Sequence, residues 1–246
     1  MKNKIGILVN CRLESERLPQ KALRKICDKT LIEHIILRKK SNKITKKIVL
    51  CIPKNKNNNI LEKIAKKNKI LCFKGSNDDV LNRLYCAAKK FKISTMIIST
   101  GDNPLVDIAS LEKLAKYHIK NKNDFSKMYG VPWGTFCYVA SFNSVKKVLK
   151  IKKTNKTEAW VDYFLKNKIF KSGILKFKNK SLFFPKLRLT IDTYTDLKMM
   201  RVLYGIFYKK NKIVDLKKVI SFCKKNKEVY KINSHVVQKK SLPAIF

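Results

Sequence analysis

The 246-residue chain predicts an α/β fold, a mostly parallel mixed sheet covered by helices, and three observations point there. Four short apolar runs in the first hundred residues read as buried strands. They alternate with amphipathic helical patterns, the order expected of parallel strands joined by crossover helices. Each strand runs into a polar loop, and no linker rich in Gly, Ser or Pro divides the chain, so residues 1–246 read as one domain.

Ile5-Gly6-Ile7-Leu8-Val9 is a continuous apolar run and makes the first strand. Residues 31–37 open an amphipathic helix, and residues 47–52 form a second strand that Pro53 stops. Asn59–Lys67 sets Ile60, Leu61, Ile64 and Ala65 on one helical face. Residues 70–73 make a third strand ending at Gly75. A helix over residues 78–91, with Val80, Leu81, Leu84, Ala87 and Ala88 inward, leads to the fourth strand, residues 95–99. Beyond about residue 120 the alternation weakens. Residues 128–140 read as a loop and a strand that line a substrate pocket, and residues 142–151 and 158–168 as helices. Residues 187–191 read as one more strand, followed by Asp192 and a helix over residues 195–208. Segment 120–185 is therefore expected to be an insertion that shapes an acceptor site or a dimer contact.

The formal net charge is +40, from 57 basic and 17 acidic residues, which invites a nucleic-acid partner. Only seven of those cations are Arg, however, and Lys is interleaved with Asn and Ile along the whole chain. A nucleic-acid footprint clusters on one face and uses Arg where forked contacts matter. The pattern reads instead as compositional drift, so a nucleic-acid surface is not expected. Seven dispersed cysteines, with no C-x-x-C pair, argue against disulfides and zinc and for a reducing cytoplasm. No apolar run reaches the ~18 residues of a membrane span.

Scarcity makes the acids informative. Six of the ten Asp fall in three loop-like pairs: Asp78 and Asp79, Asp102 and Asp107, Asp192 and Asp196. Helix capping is the ordinary use of such residues, and Asp107 and Asp196 are expected to be caps. The first loop is the other signal, because Arg12, Arg17 and Lys21 crowd into ten residues directly after a buried strand. The carboxyl ends of strands are where α/β sheets hold ligands, so this cationic loop is placed to meet a polyphosphate.

Six motifs in order resemble one family. They are Arg12-x-x-Ser15-x-Arg17-Leu18-Pro19-x-Lys21-x-Leu23; Leu31-Ile32-Glu33-His34; Gly75-Ser76-x-Asp78-Asp79-Val80-Leu81-x-Arg83; and Thr100-Gly101-Asp102-x-Pro104-Leu105-Val106-Asp107. The last two are Arg188-Leu189-Thr190-Ile191-Asp192-Thr193-x-x-Asp196-Leu197 and Ile232-Asn233-x-His235-Val236-x-Gln238-Lys239. Together they resemble the cytidylyltransferases of the spore-coat polysaccharide biosynthesis type, relatives of the enzymes that attach CMP to sialic acids and to 3-deoxy-octulosonic acid. The resemblance implies a Rossmann-like nucleotidyltransferase domain, CTP and an acidic sugar as substrates, magnesium as cofactor, and pairing as a homodimer. Arg12, Ser15, Arg17 and Lys21 would cradle the triphosphate. Asp102 and Asp192 would be the metal ligands, with Arg12, Lys21 and Asp102 the catalytic set. Asp79 and Arg83 would meet the base or ribose. His34 and Cys11 are expected to have no catalytic part.

Departures from the family pattern are Glu14 and Gln20, where relatives have glycines, and Tyr138 and Trp160 on the acceptor side. Two other readings stand beside this one: a related sugar nucleotidyltransferase with another triphosphate, and a non-catalytic basic binding protein that keeps the fold.

Overall fold

In a computed structural model, which describes residues 4–176, 180–238 and 244–245, the first strand β1 is Ile5–Asn10, with Ile7, Leu8 and Val9 fully buried. A small antiparallel ribbon, β2 Lys25–Ile26 and β3 Lys29–Thr30, precedes helix α1 Leu31–Lys40. Then come β4 Ile48–Pro53, α2 Asn59–Lys67, β5 Leu71–Gly75, α3 Val80–Lys90, β6 Thr95–Thr100 and α4 Ile108–Lys120. The later half contributes β7 Phe125–Tyr129, β8 Tyr138–Ser141, α5 Phe142–Ile151, α6 Val161–Leu165 and β9 Ser172–Lys176. It closes with α7 Tyr194–Phe207, α8 Leu216–Lys225 and α9 Lys227–Lys231.

Seven strands form one sheet in the order β5-β4-β1-β6-β8-β7-β9. The β5, β4, β1 and β6 neighbours are all parallel; β8 runs antiparallel between β6 and β7, and β9 is parallel to β7. Alternation along each strand feeds two cores. Ile7, Val9, Leu50 and Ile97 pack with α1, α4, α7 and α8 on one face. Leu8, Val49, Met96 and Ile98 pack with α3, α5 and the aromatic group Phe125, Trp160, Phe164 and Phe170 on the other.

Short polar side chains start the helices. Thr30 and Glu33 make a reciprocal capping box on α1, as do Thr193 and Asp196 on α7; Asp79, Asp107 and Ser141 cap α3, α4 and α5. The ends of α2, α3 and α4 share a less common device. Lys69, Lys92 and Lys122 each take a left-handed backbone, φ 51°, 52° and 49°, where glycine is the usual choice. The next N–H in each case bonds back across the turn, Ile70 to Ala65 O, Ile93 to Ala88 O and Asn123 to His118 O, at 2.9–3.1 Å.

Three expectations need correction. Residues 187–191 are not a strand of the sheet, because β8 already occupies the place beside β6. Their backbone pairs instead with Trp133, whose N–H donates to Leu187 O and whose carbonyl accepts from Leu189, and with Asp102 O, which accepts from Ile191 at 3.0 Å. The expected helix at 158–168 is only the short α6, since the chain turns at once to set Phe170 against Phe164. The segment read as an insertion carries β7, β8 and β9, and so builds nearly half of the common sheet.

Candidate functional site

The loop after β1 is fixed from below by Leu13 and Leu18, both buried, and from the side by Asn58, whose Oδ1 accepts from the Leu13 N–H at 3.0 Å. Glu14 turns away from the loop interior and accepts from Asn55 and Asn58. Burial would raise its pKa, but these hydrogen bonds outweigh that and hold it below the ordinary glutamate value. Gln20, at the second glycine position of the family pattern, adopts φ 52°, a left-handed conformation that glycine would take without strain.

Lys21 lies in the 3-10 turn Lys21–Leu23 that follows. Its ammonium donates to Asp102 Oδ2 at 2.9 Å, to Asp192 Oδ1 at 3.0 Å and to Ile191 O at 3.3 Å. Two acids 90 positions apart therefore share one cation beside the cationic loop. Gly101 permits this: a Cβ there would come within 2.8 Å of both Cys11 Cβ and Sγ, so only glycine lets the end of β6 lie against β1. Gly134, at φ 90°, does the same for the 187–190 segment, where a Cβ would meet Thr190 N at 2.4 Å.

Asp192 is the more enclosed acid. Arg188 Nη2 donates to its Oδ2 at 2.7 Å, and Arg17 approaches at 3.4 Å. Arg188 also grips Asp196 through Nε at 2.9 Å and donates to Gln238 at 2.7 Å, while Asn233 donates to Asp196 at 2.8 Å. The last family motif is thus a brace behind Asp192; its Lys239 lies outside the described residues. Burial works against charge on Asp192, yet Lys21, Arg17 and Arg188 more than offset it and hold its carboxyl below the ordinary aspartate value. The same pairing, against the cost of burial, raises the Lys21 ammonium above its usual range. Lys21, Arg17 and Arg188 face Asp102, Asp192 and Asp196, three charges of each sign.

Arg12 is half-exposed and paired with Glu158, a partner that sequence reasoning missed although only seven Glu occur in the chain. Ser15 is half-buried in the same loop. Asp79 and Arg83, expected to meet the base or ribose, are both buried and engaged within the protein. Asp79 is 2% exposed: it caps α3, accepts from Thr157 at 2.8 Å and pairs with Lys152 at 2.7 Å. Arg83 is 1% exposed and spends its donors on Asn10 Oδ1 and on the Ser76 and Asn77 carbonyls. Helix-start burial pulled both inward. His34 packs between Tyr204 and Tyr208 with Nε2 on Ile26 O, and burial lowers its pKa. Burial also pushes the Cys11 thiol up to about 12, which disfavours the thiolate form. Tyr138 and Trp160 meet edge to face, with centroids 5.3 Å apart, in the aromatic core.

No group of three or more His, Cys, Asp and Glu able to hold a metal occurs among the described residues. A hard divalent ion that keeps its waters and binds phosphate needs only one or two carboxylates. Asp102 and Asp192 fit that role, because their oxygens already share a single cation in Lys21.

The family profile described as cytidylyltransferase matches residues 6–238. The chain belongs to the cytidylyltransferase family. It is 32% identical over 237 residues to an uncharacterised protein of Methanocaldococcus jannaschii, covering 96% of each chain. It is 26% identical over 209 residues to the spore coat polysaccharide biosynthesis protein SpsF of Bacillus subtilis, covering 82% of this chain and 87% of that one. The solved cytidylyltransferase from Leptospira borgpetersenii superposes with a TM-score of 0.86 at 26% identity, over 96% of this chain and 99% of that one. A CMP-2-keto-3-deoxy-manno-octonic acid synthetase complexed with CTP shares the fold at a TM-score of 0.64 and 13% identity, over 82% and 98%. Among the described residues of this family member, no helix is long and apolar enough to cross a membrane.

Proposed function

We propose that the protein transfers a cytidylyl group from CTP to an acidic sugar of the 3-deoxy type, for a surface polysaccharide, with release of pyrophosphate. The observation that carries this reading is the meeting of Asp102 and Asp192 on Lys21 beside the Arg12–Arg17 loop. In such a reaction the anomeric hydroxyl attacks the α-phosphate, a new P–O bond forms, and the α–β bridging bond breaks. Little covalent chemistry falls to the protein, which positions reactants and neutralises charge.

Arg12 and Arg17 offer forked donors to the triphosphate and Lys21 a point charge. Arg12 would leave Glu158 to do so, and Lys21 would exchange a carboxylate for a phosphate oxygen. Asp102 and Asp192 are the residues that would hold a divalent ion, magnesium first, and that ion would supply charge neutralisation at the α-phosphate. Arg188, braced by Asp196, Asn233 and Gln238, keeps Asp192 aimed at the same point. The basic surroundings suit an acceptor carboxylate, and the name of the Bacillus subtilis relative supports a polysaccharide destination.

The test is incubation of the pure protein with CTP, magnesium and a panel of 3-deoxy sugar acids, read by mass spectrometry for a CMP adduct and by pyrophosphate release. Appearance of one adduct, lost in Asp102→Asn, is the expected result. Adduct formation from another triphosphate in preference to CTP would overturn the reading.

A further inference from the structure

Asn10 is the last residue of β1, in register with Cys51 of β4 on one side and Thr100 of β6 on the other. It stands at the carboxyl ends of the parallel strands, the side on which such sheets hold ligands, two residues before Arg12, and is half-buried. Its Oδ1 accepts two hydrogen bonds from Arg83, at 3.3 Å from Nε and 2.8 Å from Nη2. A guanidinium has only donors, so the amide atom facing it must be the oxygen; chemistry alone settles which way the amide points. Arg83 is itself held by the Ser76 and Asn77 carbonyls, so it cannot follow a rotating amide. The NH2 end of Asn10 is thereby directed away from Arg83, and among the described residues no protein acceptor meets it.

Resting on the cytidylyl-transfer reading, we infer that Asn10, oriented by Arg83, is the residue that selects the base, its amide N–H group donating to the O2 and N3 edge of cytosine. Those two adjacent atoms of cytosine are both acceptors. Uracil presents an N3–H donor at the same place, against which a fixed donor has nothing to accept with. An asparagine free to rotate would serve either base by turning its oxygen outward. The Arg83 contacts remove that freedom, and this gives a buried arginine a definite task as a positioning residue.

The test uses CTP and UTP as probes, with magnesium and no sugar acceptor, in calorimetric titrations of the unmodified protein and of Asn10→Asp. The aspartate keeps an acceptor for Arg83, so the fold is preserved, and a thermal melt checks it. It turns an oxygen instead of an NH2 toward the base. The unmodified protein is expected to prefer CTP by about tenfold or more, the worth of one such hydrogen bond with its clash. Asn10→Asp is expected to bring the CTP to UTP ratio to near one or below. Because the added charge weakens both triphosphates alike, the ratio is the readout. A variant that retains the original ratio overturns the assignment, as does an unmodified protein that binds both nucleotides equally. An unmodified protein that binds neither overturns the transferase reading instead. Asn10→Ser, which shortens the reach and adds no charge, is expected to weaken CTP more than UTP; equal weakening of both counts against the assignment.

Discussion

Replacing Lys21 with Met removes the single cation that Asp102 and Asp192 share. Deleting one member of a buried ion pair costs about 3–5 kcal/mol, because the partner is left charged and unpaired. Here the side chains are 16% exposed for Lys21, 22% for Asp102 and 12% for Asp192. Water recovers part of the loss, and Arg17 and Arg188 still face Asp192. The expected destabilisation is about 2–3 kcal/mol at pH 7. For a chain of this size that is a fall of roughly 4–12 °C in Tm. The carboxyl of Asp192 is held below its unfolded value, so its pairing contributes fully above about pH 4 and is lost as pH falls through the folded value. The gap between the two proteins should therefore close in acid. Added magnesium should restore more stability to Lys21→Met than to the unmodified protein, since the acids then lack their resident cation. Urea unfolding at pH 7 and pH 3.5, with and without magnesium chloride, measures all three effects. A variant as stable as the original at pH 7, or a gap that widens in acid, would refute the reasoning.

Three further outcomes are expected. Glu158→Gln frees Arg12 from a pair in which both side chains are nearly half exposed, so Tm should stay within about a degree while CTP binds roughly two- to fivefold tighter in low salt; weaker binding in calorimetry would contradict this. Lys39→Met should stabilise by about 1–3 kcal/mol, because the ammonium is fully buried with Cys137 Sγ at 3.6 Å and, among the described residues, no carboxylate partner. Burial holds the folded pKa of Lys39 below the unfolded one, so stability of the original rises as pH climbs toward about 10; chemical unfolding at pH 7 and 9.5 should show a smaller rise in the variant, and an equal one would sink the idea. Glycine at Lys69, Lys92 and Lys122 together should add about 1.5–3 kcal/mol, the three sites being independent, and an unchanged thermal midpoint would count against it.

The strands β1, β4, β5 and β6 are legible in the sequence because each is a dense apolar run bounded by Gly, Pro or charge. Phe125–Tyr129 and Ser172–Lys176 are not, since one mixes Ser and Lys into a five-residue run and the other is an edge strand that opens on Ser-Gly and closes on Lys. Residues 187–191 look like a sheet strand because they are apolar and buried, but burial there comes from the Trp133 segment. At the site, scarcity of acid narrows attention to six Asp, and the family resemblance picks Asp102 and Asp192 from among them. What sequence spacing does not encode is that Lys21 joins them, or that Arg83 turns inward to hold Asn10. Both depend on which way a long side chain leaves its backbone, and packing from distant elements decides that.

The left-handed lysines that close α2, α3 and α4 say something about where this fold tolerates drift in its coding. Helix ends here are sealed by main-chain groups, so residue identity at those positions is open to whatever a Lys-rich composition supplies, at a modest conformational penalty. Gly101 and Gly134 are different in kind, because any side chain there would occupy space already filled by another backbone or side chain. A chain with only seven glycines thus reserves some of them for collisions and lets mere torsional preference go unmet.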